Sequence, residues 1–426
     1  MKRPENLRII FCLFTNRAII SWNQIAYNRT LIASRWLVIL SFRGFLSRMT
    51  EWHPLRSLEG KESDLSRLWK ELDKSAEKVG RAIAATSPAT MPTLEHSSMA
   101  DYYNVYEPSD DTYLLIDAIK YDLFTEYPSD SGSGENDNEL EANAVSEKEK
   151  EDKEINSAAV EFYYSRLRSQ PVNNGDNTEP GKNRHKEIVQ EFVEKEGYCT
   201  DRSTKLLSRL RQLKRLEEIQ TVMEIGAGSG VPITYLSKRL MAEKPKPLPH
   251  SDGRGNNKGF SVIATDLNPL ALEFAQKTAT ENGVIASDSG NGSDSGSSAA
   301  IQSIDFVECD LATPLLNDRE GTIDVLVFNP PYVPTEDSEV SGNGIEISWA
   351  GGKDGRMVVD KALPQIARLL RKPSGVCYMI TVDDNLPSEL ATILKNHHGL
   401  KMVPLVRRRA RNEYLSVQKI SWMASS

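Results

Sequence analysis

The sequence has no Cys-x-x-Cys pair: its four cysteines, Cys12, Cys199, Cys309 and Cys377, are scattered. That argues against a disulfide framework or a cysteine zinc site and suits a reducing compartment. None of the six histidines stands in a His-x-x-x-His spacing, so no catalytic metal is expected. No uninterrupted apolar run reaches the roughly 18 residues that a spanning helix needs, so no membrane association is expected. The bias of a collagen or a wholly disordered chain is also missing, with 26 Gly and 21 Pro in 426 residues and a mean hydropathy of −0.45. A long basic stripe is absent as well. The formal net charge is −8, a poor electrostatic match for long DNA, whose binding rests on many Lys/Arg–phosphate contacts. Nucleic acid is therefore not the expected partner.

What is present is length enough for a sizeable core, unevenly organised. Residues 1–50 are Arg-rich and carry a single acid, Glu5. Their composition is that of a mitochondrial transit peptide, or of an upstream extension of a gene model. In residues 64–83, Leu65, Leu68, Trp69, Leu72, Ala76, Val79 and Ile83 fall at helical spacing, which predicts one amphipathic helix. Residues 1–90 are read as an extension, and the working domain as residues 91–426. Residues 129–154, 243–259 and 285–299 are low-complexity stretches of Ser, Gly, Asn, Pro and charge. They offer too little apolar surface to offset chain entropy, so they are expected to be disordered surface loops, the first belonging to a longer insertion over 129–184. Helical segments are predicted near 157–168, 185–196 and 203–218. The cluster Arg407, Arg408, Arg409 and Arg411 reads either as a solvated loop or as a patch for an anionic surface.

With the insertions set aside, strands and helices alternate. TVMEIGAG is a strand running into a glycine turn, and VPITYLSKRL a helix. FSVIATDLNP, SIDFVECDL and TIDVLVFNPPY read as further strands, with the helix PLALEFAQKTATENG between the first two. VVDKALPQIARLL is a helix, GVCYMITV a strand and EYLSVQKI a last strand. Apolar strands alternating with helices predict an α/β fold, a doubly wound and mostly parallel sheet covered on both faces.

Glu224-Ile-Gly226-Ala-Gly228-Ser-Gly230 ends the first strand and opens a helix. Its Gly-x-Gly-x-Gly spacing differs from the Gly-x-Gly-x-x-Gly of dinucleotide binders. A carboxylate at Glu224, inside an apolar strand, has no core role but suits a cationic ligand group. Asp266, before Leu267, ends the second strand, where an acid accepts two ribose hydroxyls. Asp310, before Leu311, follows the third strand, where an acid accepts the amino group of an adenine. Three acids at the carboxyl edge of the sheet fit a sulfonium, amine and ribose better than a pyrophosphate, and together with the glycine turn they point to S-adenosylmethionine.

Asn329-Pro330-Pro331-Tyr332 follows the fourth strand. The prolines fix φ and remove backbone donors. The Asn329 side-chain oxygen and the Pro330 carbonyl are placed to accept from one NH2 group, and Tyr332 offers a flat face. Such a site orients a planar amide or aryl amine towards a methyl donor by alignment, with no strong general base.

At these motifs the sequence resembles the HemK-type protein glutamine methyltransferases, in particular the eukaryotic branch that acts on the class I translation release factor. VYEPSDDTYLLIDAI at 105–119, MEIGAGSGV at 223–231, TDLNP at 265–269, LVFNPPYVPT at 326–335, GIEISWAGGKDGR at 344–356 and RRRARNEYLSV at 407–417 carry the resemblance. It implies the Rossmann-like, seven-stranded class I methyltransferase fold. It places Thr112 over the methionine end of the cofactor, Glu224, Gly226 and Gly228 along its methionine and ribose, and Asp266 and Leu267 at the ribose. Asp310 and Leu311 flank the adenine, and Asn329, Pro330, Pro331 and Tyr332 grip a glutamine amide. It further implies a Gly-Gly-Gln substrate loop and an obligate heterodimer with a small zinc-binding activator. The body of the chain suggests a cytoplasmic location with nuclear access, and the N-terminus a mitochondrial one. NPPY alone also occurs in adenine-N6 methyltransferases of DNA and RNA, and a histone lysine activity is associated with the branch. These remain the alternatives, with a non-catalytic scaffold behind them. The long stretch from Ala118 to Thr221, the two other insertions and the first ninety residues depart from the family's compact pattern.

Overall fold

The computed structural model describes residues 59–85, 90–124, 201–244, 260–286, 304–340, 344–411 and 413–423. A body spanning Leu68–Ser426 holds the sheet. In chain order the elements are α1 (Glu59–Ala84), α2 (Asp110–Ile119), α3 (Asp201–Glu218), β1 (Thr221–Ile225), α4 (Val231–Glu243), β2 (Ser261–Asp266) and α5 (Pro269–Glu281). There follow β3 (Ile304–Glu308), β4 (Val325–Phe328), α6 (Asp337–Val340), α7 (Met357–Leu369), β5 (Val376–Thr381), α8 (Pro387–Ile393), β6 (Leu400–Ala410) and β7 (Glu413–Trp422).

The seven strands lie in the order β3-β2-β1-β4-β5-β7-β6. Five are parallel; β7 runs antiparallel to both β5 and β6. The central strands β1, β4 and β5 are buried at every residue, because helices cover both faces and leave no polar side to alternate with. Val222, Val325, Val327, Tyr378 and Ile380 face α2, α3, α4 and α5. Met223, Ile225, Leu326, Phe328, Cys377 and Met379 face α7 and α8. Each such side chain taken from water contributes about 1.5–3 kcal/mol. Parallel strands also align their carboxyl ends, so the loops after β1, β2, β3 and β4 meet at one edge.

Three expectations change. The Arg407–Arg409 run is a strand, not a solvated loop. β6 pairs with β7 through a register shift between Pro404 and Val406, and this bulge with its proline breaks the period-2 pattern that marks a strand. Nor are its first two arginines free for an anionic surface, while Arg409 and Arg411 are exposed. Arg407, 8% exposed, pairs with Asp383 at 2.6 and 2.8 Å and lies 3.4 Å from Glu77 and 4.0 Å from Asp73; Arg408 pairs with Asp117 at 2.8 Å. Finally, the folded body begins before residue 91. The predicted amphipathic helix is α1, and its Ala76 and Ile83 are buried. Gly80 presses so closely on β6 that a Cβ there would stand 2.3 Å from the Arg407 carbonyl oxygen. Trp69 packs with one core and Val79 with the other, so α1 closes over the β6 edge of the sheet. The helical segments near 157–168 and 185–196, and nearly all of the low-complexity stretches, lie outside the described residues.

Candidate active site

The carboxyl edge of the sheet opens into a cavity of about 890 Å³. All twelve residues singled out from the sequence line it: Thr112, Glu224, Gly226, Gly228, Asp266, Leu267, Asp310, Leu311, Asn329, Pro330, Pro331 and Tyr332.

The cofactor half is built by the turn after β1. Gly226 and Gly228 have φ of 67° and 50°, and a Cβ on either would project into open space, so bare backbone forms the cavity floor. The turn is pinned to β2: Asp266 Oδ2 accepts from Gly228 N at 2.9 Å, and Oδ1 accepts from Asn268 N at 2.8 Å. Gly230 (φ 72°) caps α4 and lies against α5, where a Cβ would stand 2.6 Å from that of Ala275.

Glu224 is 1% exposed and accepts from Ile233 N at 3.0 Å. Burial pushes its carboxyl well above the usual range, the Ile233 amide opposes this, and nearby Asp266 adds to it. Burial raises Asp266 also. Two buried carboxyls, each with its ionised form disfavoured by burial, fit a ligand that brings positive charge and hydroxyl donors. A pyrophosphate would meet no free cationic side chain, since Lys361, the basic residue lining the cavity, is paired with Asp310. That pairing shifts the sequence-based role of Asp310: its side chain is half exposed at the rim, with its carboxylate already engaged. Leu267 is 56% exposed; Leu311 (φ 54°) is nearly buried in the wall.

The substrate half centres on a residue that motif reading passed over, Asp111. It is 2% exposed at the start of α2, where the helix dipole favours an anion. Its Oδ2 accepts from Asn329 Nδ2 at 3.0 Å, Tyr332 OH at 3.2 Å and Tyr106 OH at 3.0 Å. Its Oδ1 accepts from Thr112 N at 2.6 Å and Ser109 Oγ at 2.8 Å. A carboxylate only accepts, so the Asn329 amide must turn its NH2 towards Asp111. Asn329 Oδ1 is left buried without a partner. It is an acceptor prepared for a donor from outside the chain, since an orphan of this kind costs free energy until it is filled. Burial, then the Asp111 charge, pushes the Tyr106 hydroxyl up to about 12 and the Tyr332 hydroxyl higher still, so both stay protonated as donors. The only sequence signal for Asp111 is its place in EPSDDT, where two acids read equally well as helix-start residues.

The strand order with its one reversed strand, the acids at the carboxyl ends of β1 and β2, and the NPPY turn after β4 define a class I methyltransferase. Comparison with known proteins narrows this. The chain is 34% identical over 206 residues to methyltransferase HEMK2 of Homo sapiens and to that of Mus musculus, covering 48% of this chain and 79% of each relative. It is 31% identical over 216 residues to the eRF1 methyltransferase catalytic subunit mtq2 of Schizosaccharomyces pombe, covering 50% and 80%. This chain belongs to the HemK-type protein glutamine methyltransferase family. No family model matches it. Among solved structures, that of the E. cuniculi Mtq2–Trm112 complex aligns at 21% identity and a TM-score of 0.30, over 58% of this chain and 98% of that one.

Proposed function

We propose that this enzyme methylates the side-chain amide nitrogen of a protein glutamine, using S-adenosylmethionine, and that its substrate is the Gly-Gly-Gln glutamine of the class I release factor eRF1. The observation that carries the reading is the Asn329 amide at the cavity wall, its NH2 fixed by Asp111 and its buried carbonyl oxygen left without a partner. A glutamine NH2 has two hydrogens to donate, and Asn329 Oδ1 with the Pro330 carbonyl supplies two acceptors. S-adenosylmethionine supplies an electrophilic methyl group on a sulfonium. Asp266 would hold its ribose hydroxyls, Glu224 its amino group, Thr112 its methionine end, and Leu267, Asp310 and Leu311 would border the adenine. Accepting both N–H hydrogens leaves the nitrogen lone pair directed out of the amide plane, towards the methyl donor. Tyr332, its hydroxyl tied to Asp111, forms the wall beside that amide. The contribution is alignment and electrostatic stabilisation rather than general base catalysis.

The substrate assignment is supported by the likeness to the fission yeast eRF1 methyltransferase catalytic subunit. A small zinc-binding activator as heterodimer partner is part of the same reading. Its support is the outer strand β3, which has β2 as its one neighbour among the described residues and leaves Phe306 and Val307 only half buried. The test is transfer of labelled methyl, with and without the activator, to eRF1 and to its Gly-Gly-Gln Gln→Ala variant. Label on the first alone is expected. Equal labelling of both, or transfer to an oligonucleotide in place of protein, would overturn the assignment.

A further inference from the structure

We infer that Asn385 is a positioning residue for the substrate half of the site, clamping the NPPY turn to the segment Gly351–Arg356; the kinetic part of the inference rests on the proposed glutamine reading. Asn385 lies in the turn after β5 and is fully buried. Its Oδ1 accepts from Val382 N at 2.8 Å, which fixes which end of the amide faces the site. Its Nδ2 then donates to the Tyr332 carbonyl at 2.9 Å, the Asp354 carbonyl at 3.1 Å and the Gly355 carbonyl at 3.3 Å. One side-chain amide thus ties three carbonyls from two segments that are otherwise loops.

Neighbouring contacts show how closely the two segments are fitted. Gly355 has φ 64°, and a Cβ there would come within 1.9 Å of the Tyr332 carbonyl oxygen and 2.5 Å of Asn385 Nδ2. Val333 N donates to Trp349 O at 3.0 Å, and Gly351 N to Val333 O at 2.8 Å. Trp349, Val333 and Met357 all line the cavity beside Tyr332. The wall against which a substrate side chain lies is therefore made of two strips of backbone, and Asn385 joins them from behind. The turn carrying Asn385 is itself held at its other end, where Asp383 makes its two bonds to Arg407. No bond of these groups reaches Asp266, held by the turns after β1 and β2, or Glu224, held by the first turn of α4.

The test compares wild type with Asn385→Asp and Asp383→Asn. Asn385→Asp keeps the acceptor for Val382 N but turns an oxygen towards three carbonyl oxygens. Asp383→Asn, at a half-exposed side chain, loosens the same turn more gently and covers the case in which the first variant fails to fold. Amide hydrogen exchange is followed in peptides spanning residues 331–335 and 350–357, with β1 and β2 as internal reference. Exchange in those two peptides should rise by about tenfold or more in Asn385→Asp, and less in Asp383→Asn, with the reference unchanged. With eRF1, kcat should fall about tenfold or more while cofactor affinity stays within about twofold. Unchanged exchange in both variants overturns the clamp. So does a fall in kcat matched by an equal loss of cofactor affinity, which would mark a general weakening of the fold. If wild type fails to methylate eRF1 while the exchange response appears, the substrate assignment fails and the clamp stands.

Discussion

Replacing Asp111 by Asn tests the orientation argument most directly, because the change is isosteric and exchanges one acceptor oxygen and the charge for an NH2 donor. In wild type the two carboxylate oxygens receive six donors: Asn329 Nδ2, Tyr332 OH, Tyr106 OH, Thr112 N, Thr112 Oγ1 and Ser109 Oγ. An asparagine offers one acceptor oxygen. If its NH2 takes the Oδ2 position, it faces the Asn329 NH2 and two phenol hydroxyls; if it takes Oδ1, it faces the Thr112 amide. Either arrangement loses at least one hydrogen bond to a charged acceptor, worth about 1.5–3 kcal/mol. The first also releases Asn329 to turn its NH2 into the cavity, where it would oppose the substrate's own NH2. Spent in the transition state, that free energy lowers turnover by roughly one to two powers of ten. Asp111 lies at the substrate end of the cavity, so cofactor affinity should change little. Single-turnover methylation of eRF1 with pre-bound labelled cofactor measures the first quantity, and calorimetry the second. A well-folded Asp111→Asn protein with turnover within about twofold of wild type would refute the proposed role of Asp111 in setting Asn329.

The two halves of the site should separate by mutation: Asn329→Ala should cut turnover by about a hundredfold or more at nearly unchanged cofactor affinity. Asp266→Ala should instead weaken cofactor binding by about a hundredfold or more, having removed two charge-assisted contacts; calorimetry showing equal losses for both variants would contradict the division. Gly230→Ala forces a Cβ against Ala275 at a left-handed backbone position, and should cost about 1–3 kcal/mol, read as a lower denaturant midpoint. Cofactor binding should release protons. Glu224 starts from a raised pKa because it is buried, and a cationic ligand favours its ionised form, so affinity should climb as pH rises to the free-state pKa and level off above it. Calorimetry in two buffers of different ionisation enthalpy checks this; heats independent of buffer would contradict it.

The parts of this fold that announce themselves in sequence are those whose signal is local. Strands β1, β4 and β5 are short apolar runs because both their faces are covered, and Glu224 stands out in one of them because a core has no use for a carboxylate. The glycine turn, the acid at the end of β2 and the NPPY turn each combine residue types with an unmistakable backbone or donor property. β6 escaped because its outer half is arginine and its middle holds a proline and a bulge. Asp111 and Asn385 escaped for a different reason: each acts on backbone or side chains far along the chain, Asp111 on a residue 218 positions away and Asn385 on one 53 positions away. Nothing near either residue in the chain records such a pairing.

The connections from α4 to β2 and from α5 to β3 have a practical consequence. Both leave from the ends of helices that begin at the cavity: Lys244, just past α4, reaches the Ile219 carbonyl ahead of β1, and Ser261 N at the start of β2 bonds to Gln220 O at 2.8 Å. The described ends of these connections, at Lys244, Ser261 and Ile304, therefore lie towards the amino edge of the sheet, away from the carboxyl edge that carries the chemistry. An affinity handle or fluorophore joined beside those ends starts from the side of the sheet opposite the cavity, an outside vantage from which to watch the enzyme engage its substrate.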